Sequence, residues 1–156
     1  MTDAALHDPI DPVPASRSAA PTWFDADGGR LLGQTCDACR SVFFPPTLDF
    51  CGNPSCEGET FTVQPMSSCG TVWSWTTNHY KPPAPYVSEE PFAPYTVLAV
   101  ELATEGMVVL GQLSPESDPV EVGDTVEIRT ETLLEDENGT QLVWRWMRTV
   151  NQEDAR

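Results

Sequence analysis

From Phe61 onward, apolar and polar residues alternate with the period of two expected of half-buried strands. In "GTVWSWTTNHY" this pattern places Val72, Ser74 and Thr76 on one face and Trp73, Trp75 and Thr77 on the other. "YTVLAVELA" and "EGMVVLGQL" follow, separated by an acidic Gly turn, and "VEVGDTVEIRTETLL" opens on a Gly-Asp turn. "DENGTQLVWRWMRTV" begins with an Asn-Gly hairpin signal and puts Trp144 and Trp146 on one face with Arg145 opposite. None of these segments repeats with the period of a helix. About five antiparallel strands are predicted, and as an open sheet they would expose an apolar face and two unpaired edges. Closure into a small OB-type barrel removes both problems.

Before residue 61 the pattern changes. "PTWFDADGGRLLGQT" predicts a short N-terminal helix or turn at Trp23-Phe24, then a strand carrying Leu31-Leu32. "RSVFFPPTLDF" gathers Val42, Phe43, Phe44, Leu48 and Phe50 around a Pro-Pro turn. Cysteine pairs flank this cluster: Cys36 and Cys39 in "CDAC", Cys51 and Cys56 in "CGNPSC". The spacing is C-x2-C, eleven residues, then C-x4-C. Two sulfur pairs on separate turns can surround one tetrahedral ion, and four thiolates favour structural zinc with no position open for water. Disulfides are the competing reading, but the chain opens "MTDAALHDP", without the basic and apolar regions of a secretory leader. In a reducing cytoplasm paired cysteines signal metal. A redox role for "CDAC" requires alternating strands and helices, which the pattern lacks. Cys69, beside Gly70, reads as a small buried residue. The expected fold is mainly β: a flexible arm over 1–20, a short N-terminal helix plus rubredoxin-like zinc ribbon over 21–60, a five-stranded OB-fold barrel over 61–150, and a frayed tail over 151–156.

Charge narrows the choice of partners. Eight Lys and Arg against 24 Asp and Glu give a formal net charge of −16. A polyanion of this size is repelled by DNA, RNA and anionic membranes, although ribbons and small barrels are common nucleic-acid binders. No apolar run approaches the length of a membrane span. These features predict a cytoplasmic protein with no nucleic-acid or membrane partner. Catalytic signals are sparse. His7 falls in the arm and His79 at a strand end, with no carboxylate at a spacing that would orient either. Glu89-Glu90 and Glu135-Asp136-Glu137 sit in solvated turns, and no phosphate loop or nucleophile elbow is present. "TTNHYKPPAPY" is the best recognition segment. It offers Asn78, His79, Tyr80 and Lys81, the only lysine, and with Tyr95 it forms the candidate contact set for a ligand or a partner.

Taken together, "GRLLGQTCDACRSVFFPPTLDFC", "CGTVWSWTTNH", "PFAPYTVLAVEL" and "VGDTVEI" resemble the acyl-CoA-associated zinc-ribbon plus OB-fold family long catalogued as a domain of unknown function. The resemblance runs from about Thr22 to Met147. The second knuckle departs from the tighter C-x2-C common in that family. Membership would imply a small subunit without catalytic residues of its own, bound to a thiolase-like or lipid-transfer-protein-like enzyme. That partner would be a steroid side-chain-cleaving aldolase or a thiolase, and the barrel would help form its CoA-ester channel, with Asn78, His79, Tyr80, Lys81 and Tyr95 as the acyl-CoA or partner contacts. A stand-alone acyl-CoA or nucleotide-binding module is the alternative.

Overall fold

The computed structural model describes residues 16–84, 86, 88 and 90–149. Most of the expected arm, including His7, lies outside these residues, as do Glu89 and the tail at 151–156. The described residues form strands and turns only. They are β1 (Arg17–Ser18), β2 (Phe24–Asp25), β3 (Arg30–Cys36), β4 (Val42–Phe43), β5 (Phe61–Pro65), β6 (Cys69–Asn78), β7 (Tyr95–Leu102), β8 (Met107–Gln112), β9 (Thr125–Asp136) and β10 (Gly139–Arg148).

The short N-terminal helix does not form. The amides of Trp23 and Phe24 both donate to the Ala20 carbonyl, at 2.9 Å each, making a single turn before the chain enters β2. Pro21 has no amide to donate, and Gly29, at φ +61, reverses the chain only a few residues later. Phe24 instead reaches the core as the strand partner of Leu31.

β3 organises the ribbon. It pairs antiparallel with β2, β4 and β5, so one strand fixes the register of the whole unit. The buried Gln34 on β3 anchors the loop between the cysteine pairs. Its Nε2 amide donates to the Leu48 carbonyl at 2.9 Å, and its Oε1 accepts from the Leu48 amide at 3.1 Å. Satisfying both ends of one buried amide is what allows that side chain into an apolar setting.

β6 to β10 build the barrel. The larger sheet runs β1-β10-β9-β6-β7-β8, and a parallel bridge between Leu113, just past β8, and Trp146 of β10 curls it back on itself. The Ser114 amide donates to the Trp146 carbonyl at 2.8 Å beside that seam. This is the curled, OB-like arrangement expected from the strand pattern. One departure concerns β6. A bulge between Val72 and Ser74 breaks the strict alternation, so Val72 pairs with buried Val100 while Ser74 pairs with Ala99 and Trp73 is left between them.

Ribbon and barrel share one core. Phe24, Leu31 and Met66 from the ribbon side pack with Leu98, Val100, Val109, Val126 and Trp146. The Phe24 and Trp144 rings lie 5.7 Å apart, and the Met66 amide donates to the Leu31 carbonyl at 2.8 Å. The Ser67 amide and hydroxyl donate to Glu105 at 2.7 and 3.0 Å, tying the connection between β5 and β6 to the β7–β8 turn.

Candidate functional site

Cys36 closes β3 and is fully buried, while Cys39 follows it in a turn held by the Arg40 amide on the Cys36 carbonyl at 2.9 Å. Arg40 occupies the left-handed region at φ 65, which bends the first knuckle sharply. The second knuckle is wider but equally constrained. The Cys51 amide donates to the Gly58 carbonyl and the Cys56 amide to the Asn53 carbonyl, each at 2.9 Å. The Asn53 side chain accepts from the Ser55 amide at 3.0 Å, so the two extra residues are absorbed in an Asx turn.

The result is a compact set of four sulfurs, all within 4.8 Å of one another. Cys36 and Cys56 Sγ are 3.8 Å apart, and Cys39 and Cys51 Sγ are 3.5 Å apart. Zinc–sulfur bonds of about 2.3 Å in a tetrahedron require sulfur separations of about 3.8 Å. A disulfide would need about 2.05 Å, and all five cysteines are free. Backbone amides also point at the sulfurs, from Asn53 to Cys51 at 3.4 Å and from Gly58 to Cys56 at 3.3 Å. Donors of this kind stabilise thiolate charge and orient the ligands. The four cysteines are therefore placed to bind one metal ion, and the donor set suits zinc held structurally.

Without the ion, these groups compete for protons. Cys39 falls to about 6, chiefly through the Ser41 hydroxyl and amide. At Cys51 the Asn53 amide pulls the pKa down, but burial and the neighbouring sulfurs outweigh it and raise the thiol to about 12. Cys56 is likewise raised, with burial and adjacent sulfurs overcoming the Gly58 amide. Cys51 and Cys56 are thus protonated at neutral pH in the metal-free ribbon, and zinc must displace both protons. Apparent zinc affinity should rise with pH by at least about a hundredfold per unit between pH 6 and 8, as read by chelator competition. A flat profile would mean that these two sulfurs do not ligate.

Gly58 shows how little space surrounds the sulfurs. A Cβ there would lie 2.7 Å from Cys36 Sγ and 3.3 Å from Cys56 Sγ. Gly58→Ala should weaken zinc retention by about 10–100-fold in the same competition assay, because two ligands must shift.

The polar contact set is only partly gathered. Asn78 and Tyr95 face each other across β6 and β7, and Asn78 Nδ2 donates to Tyr95 Oη at 2.8 Å and to the Tyr80 carbonyl at 3.1 Å. His79 and Tyr80 are exposed on the following loop, and Lys81 is ion-paired with Glu90. Cys69 corrects an expectation: it is exposed, at the outer start of β6 opposite Glu127.

A groove beside Tyr95 is announced by no motif in the chain. It encloses about 630 Å³ between the β6–β7 loop, β8, β9 and β10, and it adjoins a second hollow of about 320 Å³ reaching Trp144. Tyr86 and Tyr95 stack there at 5.5 Å and 18°, with Phe92 edge-on to Tyr95 at 6.4 Å. Arg145 bonds to Glu131 at 3.1 Å and to Gln112, whose Nε2 donates to Tyr86 Oη at 2.6 Å. Burial raises the Tyr86 phenol, keeping it neutral. With its cation already matched by a carboxylate, the groove is aromatic, hydrogen-bonding and close to neutral. Its walls come from chain segments far apart in sequence, and neither Gln112 nor Arg145 stands out within its strand.

Two family models match in order along the chain: the rubredoxin-like zinc ribbon domain of ChsH2 over residues 25–62 and the C-terminal OB-fold domain of ChsH2 over 63–131. A solved structure described as the Ltp2-ChsH2(DUF35) aldolase is similar at 30% identity, covering 83% of this chain and 94% of that one, with a TM-score of 0.59. No curated protein matches. Among the described residues no helix is long and apolar enough to cross a membrane. The ordered pair of domains and the 30% identity to a solved relative over 83% of this chain place it in the ChsH2 family of zinc-ribbon plus OB-fold proteins.

Proposed function

We propose that this chain is a non-catalytic accessory subunit of a thiolase-like, lipid-transfer-protein-type acyl-CoA enzyme. In this reading the partner is a steroid side-chain-cleaving aldolase or a thiolase in the cytoplasm, and the barrel helps form its CoA-ester channel. The observation that carries the reading is the likeness to the ChsH2 chain type found in the Ltp2-ChsH2(DUF35) aldolase, over 94% of that chain. The metal centre fits a scaffolding role, because four thiolates on one zinc leave no site for substrate or activated water.

The groove refines the ligand contacts. Of the expected contact set only Tyr95 lines the groove, with Asn78 bonded to its hydroxyl, while His79, Tyr80 and Lys81 follow on the adjoining β6–β7 loop. Lys81 would have to exchange Glu90 for a ligand phosphate, and Arg145 is held by Glu131. The groove is therefore suited to the neutral part of a CoA ester, its amide-bearing arm or acyl chain, while the charged phosphates remain toward solvent or the partner. Co-expression with a thiolase-like subunit, followed by size-exclusion chromatography with light scattering, tests the assignment. A stable hetero-oligomer is expected. A chain that always elutes alone would defeat it.

The groove also favours a second reading, an acyl-CoA-binding module that works unaided. Titration calorimetry separates the two: micromolar binding of a CoA ester to the isolated chain would support the module, and negligible binding without the partner supports the subunit.

A further inference from the structure

The outer face of β6, β7 and β8 carries an apolar surface that the metal centre and groove do not use. Antiparallel partners project on the same side of a sheet. Ser74, Ala99 and Leu110 form one cross-strand row, and Thr71, Glu101 and Val108 form the next. These rows point away from Val72, Val100 and Val109, which are buried in the barrel. Leu110 is 64% exposed and Val108 44% exposed, so aliphatic side chains occupy positions where a solvated face would carry polar ones.

Two local devices enlarge this surface. The bulge between Val72 and Ser74 leaves Trp73 unpaired and 63% exposed. The Gly123 amide donates to the Val72 carbonyl at 2.8 Å, which sets Val122, 68% exposed, beside that bulge. Tryptophan is the residue most enriched at energetic centres of interfaces.

Charge selects the occupant. β6, β7 and β8 contain no Lys or Arg, and Glu101 is their only charged residue, with Glu121 exposed in the neighbouring turn. A cation-free face cannot engage phosphates, which excludes nucleic acid here. A second copy would bring Glu101 and Glu121 of two chains, each at −16, against each other. We infer that this face, centred on Trp73 and Leu110, docks a different protein whose contact surface has an apolar centre and a basic rim. The inference rests on the accessory-subunit reading, and the occupant is then the thiolase-like subunit.

The test co-expresses that subunit with wild-type chain, with Leu110→Glu, with Trp73→Ser, with Glu101→Lys and with Phe50→Ser on the exposed ribbon tip. Both Leu110→Glu and Trp73→Ser should retain zinc and the wild-type melting temperature but weaken the complex by at least about thirtyfold. Glu101→Lys should slow association and reduce its salt dependence, and Phe50→Ser should leave the complex intact. A complex that survives both Leu110→Glu and Trp73→Ser overturns this inference and leaves the accessory-subunit reading standing. Loss of the complex with Phe50→Ser alone also overturns it, moving the interface to the ribbon. A wild-type homodimer that Leu110→Glu dissolves assigns the face to a second copy and overturns it as well. Absence of any wild-type complex defeats the accessory-subunit reading, and this inference with it.

Discussion

Replacing Cys36 with serine should strip the ribbon of its metal. Cys36 is the fully buried ligand, held at the end of β3, and its Sγ lies 3.8 Å from that of Cys56. Structural zinc in small domains contributes about 10–16 kcal/mol at neutral pH, so losing one of four thiolates removes roughly 3 kcal/mol or more, over a hundredfold in affinity. Serine supplies a poor ligand and leaves its hydroxyl among apolar neighbours and the remaining sulfurs. Zinc per chain, measured after dialysis against a weak chelator, should fall from one to near zero. Hydrogen exchange should localise the consequence. Amides between Asp37 and Gly58 should lose protection, while those of Leu98, Val100 and Trp146 keep it, because the barrel core does not depend on the ion. Retention of full zinc by this variant would show that the metal is held by other groups.

Trp146→Ala should be the most damaging change within the barrel, at a cost of about 3–5 kcal/mol. The side chain has no exposed surface, and its residue forms the parallel bridge to Leu113 that closes the sheet from β8 onto β10. Gly111 lies directly over the indole, since a Cβ there would be 2.5 Å from Trp146 Nε1, so β8 offers no side chain at that point to fill the void. The loss combines burial, cavity and seam, and it approaches the total stability of many small domains. Urea denaturation should show a large drop in midpoint, or a chain no longer folded at 37 °C. Trp73→Ala provides the contrast, because that indole is mostly exposed and its truncation should stay within about 0.5 kcal/mol.

The features legible in the sequence were those set by short-range spacing. Cys36, Cys39, Cys51 and Cys56 announce themselves because each pair sits on its own turn, and the β strands from Phe61 onward show the period-two pattern that burial of one face imposes. Features that depend on long-range pairing stayed hidden. Gln34 looks like an ordinary strand polar residue until the structure brings Leu48 to both ends of its amide. The groove needs Tyr86, Gln112, Leu133 and Arg145 to converge from four segments. The helix expected at Trp23-Phe24 yielded to tertiary packing: one turn, too short to stabilise itself, gives way to a strand that buries Phe24 against Trp144. The bulge at Trp73 was hidden for a related reason, since a bulge is defined by the partner strand and nothing in the residue pattern of β6 announces it.

In the proposed role this chain contributes structure and surface to a partner's chemistry and performs none alone. Titrating purified, zinc-loaded chain into its thiolase-like partner while following CoA-ester turnover tests it most directly. No turnover by the chain alone is expected, with partner activity that rises to a plateau at a fixed ratio of the two. Brisk turnover by the isolated chain, or partner activity indifferent to its addition, would contradict it.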